Sequence, residues 1–374
     1  MTIAQAEYAA RLSRIRRAMA DAGLDTLLVY SWKRGQVHYV SGYIPNYLAN
    51  VAMVVVPQDQ DPTLFIRFPF DLDRARAMCW FDDVRASGDV GAVGRDAAAR
   101  LCELGLDGGR IGLVTGDGLM DELPYTLFQG LGDELPAASF SDARALMMDI
   151  RLIKSPAEFE LLKGSAAVAD AAIAAGKGAL VPGVNEYRVV AAVEAAARGA
   201  GADNYLVAIA GEGSQELIGP PEDKPIKPGS VVILEIAVQV GGYWTQVARV
   251  FVAGQPTPEQ RAIYRAVYGA YRAAADAACP GRTLEEVYGV AHAALSAAGY
   301  ADYVEHDMGH GIGLDMPEPP RVEPGAVTLI QGGMALVIHP AVRVPGVGGA
   351  FVGGTVLITE DGPLPIHTIP EGEL

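Results

Sequence analysis

The run Gly309-His310-Gly311-Ile312-Gly313-Leu314 constrains this chain more than any other segment, because it sets one histidine among residues that carry no side chain. Glycine lets backbone approach a neighbour or a ligand closely, so His310 is expected to face a pocket rather than to sit bonded in a core. A second histidine, His339, closes the strand-like run at 334–338 (MALVI) and precedes Pro340. Glu235 ends the apolar run VVIL, where a carboxylate without a partner is costly. A histidine or a cationic substrate is the partner expected for it. Gln246 and Arg249 lie three apart on a strand-like stretch and should point to opposite faces, which leaves Gln246 directed at the pocket.

The chain has 374 residues, half of them hydrophobic, enough for two domains with cores of their own. A formal net charge of −16 argues against nucleic acid as a partner. A small-molecule substrate is expected instead. Three well-separated cysteines with no CxxC pair suggest neither a disulfide framework nor a zinc ribbon. The amino-terminal stretch has no signal-peptide core and no apolar run reaches spanning length, so a cytoplasmic protein without membrane attachment is expected.

Periodicity predicts a helix over 6–22, then strands at 26–30 (TLLVY), 51–56 (VAMVVV), 63–66 and 111–114, with a helix around 120–130. This is an α/β alternation. Ser155, Pro156 and Glu158 spell a capping box, and the domain boundary is placed just before it: 1–150 and 151–374. The second half carries alanine-rich helices over 156–177, 185–199, 258–278 and 284–298, with strands at 230–240 and 334–338.

Read together, YAARL (8–12), VSGY (40–43), RLIKSPAEFE (151–160), KPGSVVILE (227–235), GYWTQVARVF (242–251), GHGIGL (309–314), GMALVIHP (333–340) and VLITEDG (356–362) resemble the creatinase, prolidase and Xaa-Pro aminopeptidase family along essentially the whole chain. The resemblance implies an α/β creatinase-like N-terminal domain, an α+β pita-bread domain with a curved antiparallel sheet, and a homodimer. In metal-dependent members two aspartates, a histidine and two glutamates hold two divalent ions. By position these fall on Glu235, Gln246, His310, His339 and, for the second glutamate, near Gly353, a set with a single carboxylate.

The altered site leads to the expectation of a metal-independent hydrolase of a carbon–nitrogen bond in a small polar metabolite, an amide, cyclic amidine or guanidino compound. Creatinase and ectoine hydrolase are the metal-free members it resembles. His310 and His339 would handle protons, Glu235 would orient or attack, no cofactor would be needed, and ordinary Xaa-Pro peptidase activity would be absent. Creatine itself is not favoured, because creatinase's base falls near Ile218, its glutamate on Ala248 and its partner-donated arginine on Asn50.

Three alternatives stay open. A mononuclear iron or zinc site can be built from His310, His339 and either Gln246 or Glu235; a lyase or isomerase can use the same acid and base; a binding protein can have lost catalysis. Glu318 matches a glutamate of the family and is expected either to line the pocket or to serve a turn. Tyr43, Tyr47 and Asn50 fall in the loop that in creatinase-like dimers reaches across to the partner, where they are expected to contact substrate. His306 is expected to be structural, and His38, His292 and His367 structural or at the surface.

Overall fold

The computed structural model describes residues 3–32, 35–45, 51–116, 123–211, 218–304, 306–368 and 374. The chain divides into two compact units, Met1–Arg151 and Leu152–Leu374.

The first unit is built on a mixed sheet of strands β1 (Thr26–Trp32), β2 (Val51–Pro57), β3 (Thr63–Ile66), β4 (Val84–Ala86), β5 (Arg110–Val114) and β6 (Ser139–Asp142), in the order β4-β3-β2-β1-β5-β6. Its helices are α1 (Gln5–Asp21), α2 (Gly35–Ser41), α3 (Leu72–Met78), α4 (Val90–Glu103), α5 (Tyr125–Glu134) and α6 (Arg144–Leu152). Both β2 and β3 are buried at every position, as their unbroken apolar runs require. Helix α5 starts later than the periodicity predicts because Pro124 fills its N-cap with extended backbone, and the residue before a proline avoids helical geometry.

Tyr43 lies in this unit as a core residue, not as a substrate contact. It is fully buried, and its hydroxyl donates to Asp71 at 2.5 Å, an acceptor that Arg74 also engages. Burial, with Asp71 beside it, pushes the phenol well above its ordinary pKa. Tyr47 and Asn50 lie outside the described residues.

The second unit opens with α7 (Pro156–Ala179), whose capping box is formed: Ser155 Oγ accepts from the Glu158 amide, and the Glu158 carboxylate accepts from the Ser155 amide. Then come α8 (Glu186–Gly199), β7 (Asn204–Ala210), β8 (Val231–Val240), β9 (Tyr243–Val252), α9 (Pro258–Ala277), α10 (Leu284–Ala297), β10 (Gly309–Gly311), β11 (Glu318–Arg321), β12 (Ala335–Ile338), β13 (Ala341–Val344), β14 (Gly348–Phe351), β15 (Gly353–Thr359) and β16 (Gly362–Pro365).

Its main sheet is antiparallel in every described pairing, in the order β11-β10-β12-β15-β9-β8-β7, with β16 against β15 and a separate β13-β14 hairpin. Two apolar clusters cover it. One gathers α7 and α8 residues such as Ile173 and Val193 with Leu234, Ile236 and Val247. The other joins Val267 and Leu295 of α9 and α10 to Leu336, Ile338 and Val356. In this order β12 and β10 lie on one side of β15, and β9 and β8 on the other. Among the described residues no helix is long and apolar enough to cross a membrane.

Candidate metal centre and active site

Glu235 and Gln246 project from neighbouring strands on the same face. In the register Glu235 stands opposite Ala248 and Gln246 opposite Ala237, so the two are diagonal neighbours. The Gln246 amide donates to Glu235 Oε1. The partner of this carboxylate is therefore a neutral amide, not the histidine or cation expected. Burial pushes the Glu235 carboxyl up to about 7, against the opposing pull of Gln246 and His306. The Gln246 backbone is clamped by Thr355, whose hydroxyl accepts from the Gln246 amide at 3.1 Å. Arg249 faces the other way, as alternation requires, and its guanidinium donates to the Gly353 carbonyl at 2.6 Å, bracing β9 on β15.

His310 sits on β10, paired with Val337 of β12 on one side and Arg321 of β11 on the other. The flanking glycines are required by these neighbours. A Cβ on Gly309 would fall 2.1 Å from the Val337 carbonyl oxygen, and one on Gly311 would fall 2.5 Å from that of Pro319. The His310 ring places Nδ1 2.8 Å from the Gly311 carbonyl, so that a proton there leaves the Nε2 lone pair free. Burial holds this imidazole below its ordinary pKa.

His339 follows β12 and is 5 % exposed. Its Nδ1 has no hydrogen-bond partner, and burial pushes the ring down to about 3. The rings of His310, His306 and Phe351 surround it at 5.2, 5.6 and 5.2 Å between centroids. The group that converges on His339 includes His310, as expected, and adds two residues that were not expected there. His306, Asp307 and His339 each offer a donor atom, and these lie within 4.8 Å of one another. His306, read from sequence as structural, belongs to this cluster. Burial alone would raise Asp307, but the neighbouring His306 and the bond to Arg321 hold the carboxyl well below the ordinary range. The run His306-Asp307-Met308-Gly309-His310 places three donors within five positions, which is the signal that identifies Asp307.

Glu318 is not available to a ligand. Its carboxylate accepts from Lys154 Nζ at 3.0 Å and from the Asp315 amide at 3.1 Å, with both charged side chains almost wholly enclosed. His367 likewise serves packing: its buried ring meets Asp170 of α7 at 2.8 Å.

A two-cation centre does not fit this donor set. Gln246 is a neutral amide whose N–H is taken by Glu235, position 339 is an imidazole, and Gly353 has neither a side chain nor space for one: a Cβ there would meet His339 Cβ at 2.5 Å. Two imidazoles and one carboxylate do suit a single divalent ion.

A mixed sheet followed by a curved antiparallel sheet with a histidine-rich centre defines the creatinase and pita-bread architecture, and comparison with known proteins agrees. Residues 11–153 match the creatinase/prolidase N-terminal domain and residues 160–360 match metallopeptidase family M24, and the chain belongs to that family. The Xaa-Pro dipeptidase of Lactobacillus delbrueckii subsp. lactis is 28% identical over 96% of this chain and 97% of its own length. The Xaa-Pro dipeptidase of Pyrococcus furiosus is 31% identical over 66% of this chain and 71% of its own. The prolidase structure from Pyrococcus horikoshii OT3 superposes with a TM-score of 0.85 at 25% identity, covering 98% of this chain and all of the other.

These findings overturn the expectation of a metal-free hydrolase acting on a non-peptide carbon–nitrogen bond. The family is one of metallopeptidases and these relatives are named Xaa-Pro dipeptidase, which counts against the expected absence of Xaa-Pro peptidase activity. The expectation of no cofactor falls with it, and the cluster of His306, Asp307 and His339 gives a cation a place to bind. Loss of the inherited carboxylates does not remove every donor, because His306 and Asp307 stand outside the inherited positions.

Proposed function

We propose that this protein hydrolyses the peptide bond of short peptides of dipeptide size. The observation that carries this reading is the match across both domains to proteins named Xaa-Pro dipeptidase, one of them over 96% of the chain.

The geometry supports it. Gln246 holds one oxygen of Glu235, and this carboxyl, near enough to His306 to be influenced by its charge, can take a proton from the attacking water and return it to the departing amine. His310, its Nδ1 held by the Gly311 carbonyl, keeps the Nε2 lone pair free and can accept a hydrogen bond or a proton from the substrate or the attacking water. A divalent cation, when bound, supplies polarisation of the scissile carbonyl and activation of water. A cytoplasmic setting is part of the proposal, supported by three free cysteines. So is the homodimer that the family resemblance suggests.

The test is a panel of dipeptides with and without C-terminal proline, assayed on chelator-treated protein with zinc, cobalt or manganese restored. Release of free amino acids that requires the cation supports the reading. Absence of cleavage across the whole panel with each cation would overturn it.

A further inference from the structure

We infer that His306, Asp307 and His339 form a mononuclear site for a divalent transition-metal ion, zinc foremost. It lies beside the inherited ligand positions and shares only His339 with them. This deepens the peptidase reading by locating its cation, yet it stands on its own geometry.

Three observations carry it. The donor atoms of the three residues lie within 4.8 Å of one another, so modest side-chain rotation closes them onto one ion. His339 is buried with its Nδ1 unpartnered, and a buried imidazole nitrogen left so is costly unless a ligand completes it. Asp307 divides its oxygens: Oδ2 is bonded to Arg321, while Oδ1 lies 3.9 Å from His306 Nδ1. A carboxylate that coordinates through one oxygen and is oriented by a hydrogen bond at the other has the outer-shell support that metal ligands need.

The chemistry of the donors selects the ion. Imidazole suits zinc, iron and copper, whereas magnesium and calcium take oxygen ligands. Three protein donors also leave a coordination position for water or a substrate carbonyl, and His306, at the exposed edge of the cluster, leaves an approach from solvent.

The test is zinc chloride titrated calorimetrically into chelator-treated full-length protein, with a competing weak chelator, and cobalt(II) absorption as a second readout. The expected result is one equivalent of zinc and a tetrahedral cobalt spectrum. His306→Ala and Asp307→Asn should each weaken zinc by at least about 100-fold, while His310→Gln should change affinity by less than about 10-fold.

Because His306 and Asp307 lie outside the packed core, circular dichroism will show both variants folded. Binding of less than about 0.1 equivalent by the wild-type protein, as expected of a chain without a formed ligand set, would overturn the inference. So would unchanged affinity in His306→Ala together with loss in His310→Gln. Neither readout depends on turnover: zinc bound without peptide cleavage keeps the site and removes the peptidase reading, and cation-dependent cleavage with intact zinc affinity in His306→Ala does the reverse.

Discussion

The Cβ of His339 occupies the space that a side chain at Gly353 would need, 2.5 Å from where that Cβ would stand. The imidazole at one inherited ligand position and the bare backbone at another are therefore one packing solution. Gly353→Ala should destabilise the protein by about 1–3 kcal/mol, the ordinary cost of overpacking, or more. Because the Ile338 carbonyl oxygen stands at 2.4 Å from the same point, adding His339→Gly should recover only part of the loss. Urea denaturation of the single and double variants measures both. Full recovery would show that His339 alone excludes a side chain there.

Lys154 and Glu318 form an ion pair with side chains 3 % and 2 % exposed. Removing one member leaves a buried charge uncompensated, so Glu318→Ala should cost about 3–5 kcal/mol in chemical denaturation. Lys154→Met combined with Glu318→Met should cost much less than the sum of the single changes. Additive losses would show that the two charges do not act as a pair.

Gln246→Leu leaves the Glu235 carboxylate without its amide donor. The expected loss is about 1–3 kcal/mol of stability, the penalty of a buried polar group left unsatisfied. Gln246→Glu sets two carboxyl groups against each other and should make stability fall as pH rises through neutrality. Denaturation midpoints between pH 6 and about 8 distinguish the two variants.

The Asp170 and His367 pair makes stability fall on acidification. Burial would raise Asp170, but its bonds from His367 and Thr368 outweigh this and hold it below 3.8. His367 is held below 6.5 chiefly by burial. Both folded-state values are depressed, so the unfolded chain binds more protons and stability rises with pH. The histidine contribution is complete above 6.5 and declines as pH falls from there. The Asp170 contribution declines below 3.8. His367→Gln should flatten the dependence between pH 7 and about 5; an unchanged slope there would assign it to other groups.

Much of the architecture was legible in the residues. The capping box at Ser155 sets the start of α7 to the residue, and the apolar runs at 51–56, 63–66 and 231–234 all became strands of a sheet. The opposite directions of Gln246 and Arg249 follow from alternation alone. The site was legible only in part. The pairing of His310 with His339 follows from their motif positions, but the partner of Glu235, the burial of Tyr43 against Asp71 and the engagement of Glu318 were not legible. Each depends on a residue whose own sequence context carries no sign of the contact.

What the sequence by itself determined is the family and the order of its elements, because caps, turn glycines and apolar periodicity act over a few residues. What only the tertiary structure decided is which donors meet. Lys154 reaches Glu318 across 164 positions and His367 reaches Asp170 across 197, while His306 and Asp307 meet His339 because β10 lies beside β12. Such meetings are set by sheet order and curvature, and these arise from the packing of the whole domain, which no local pattern of residues encodes.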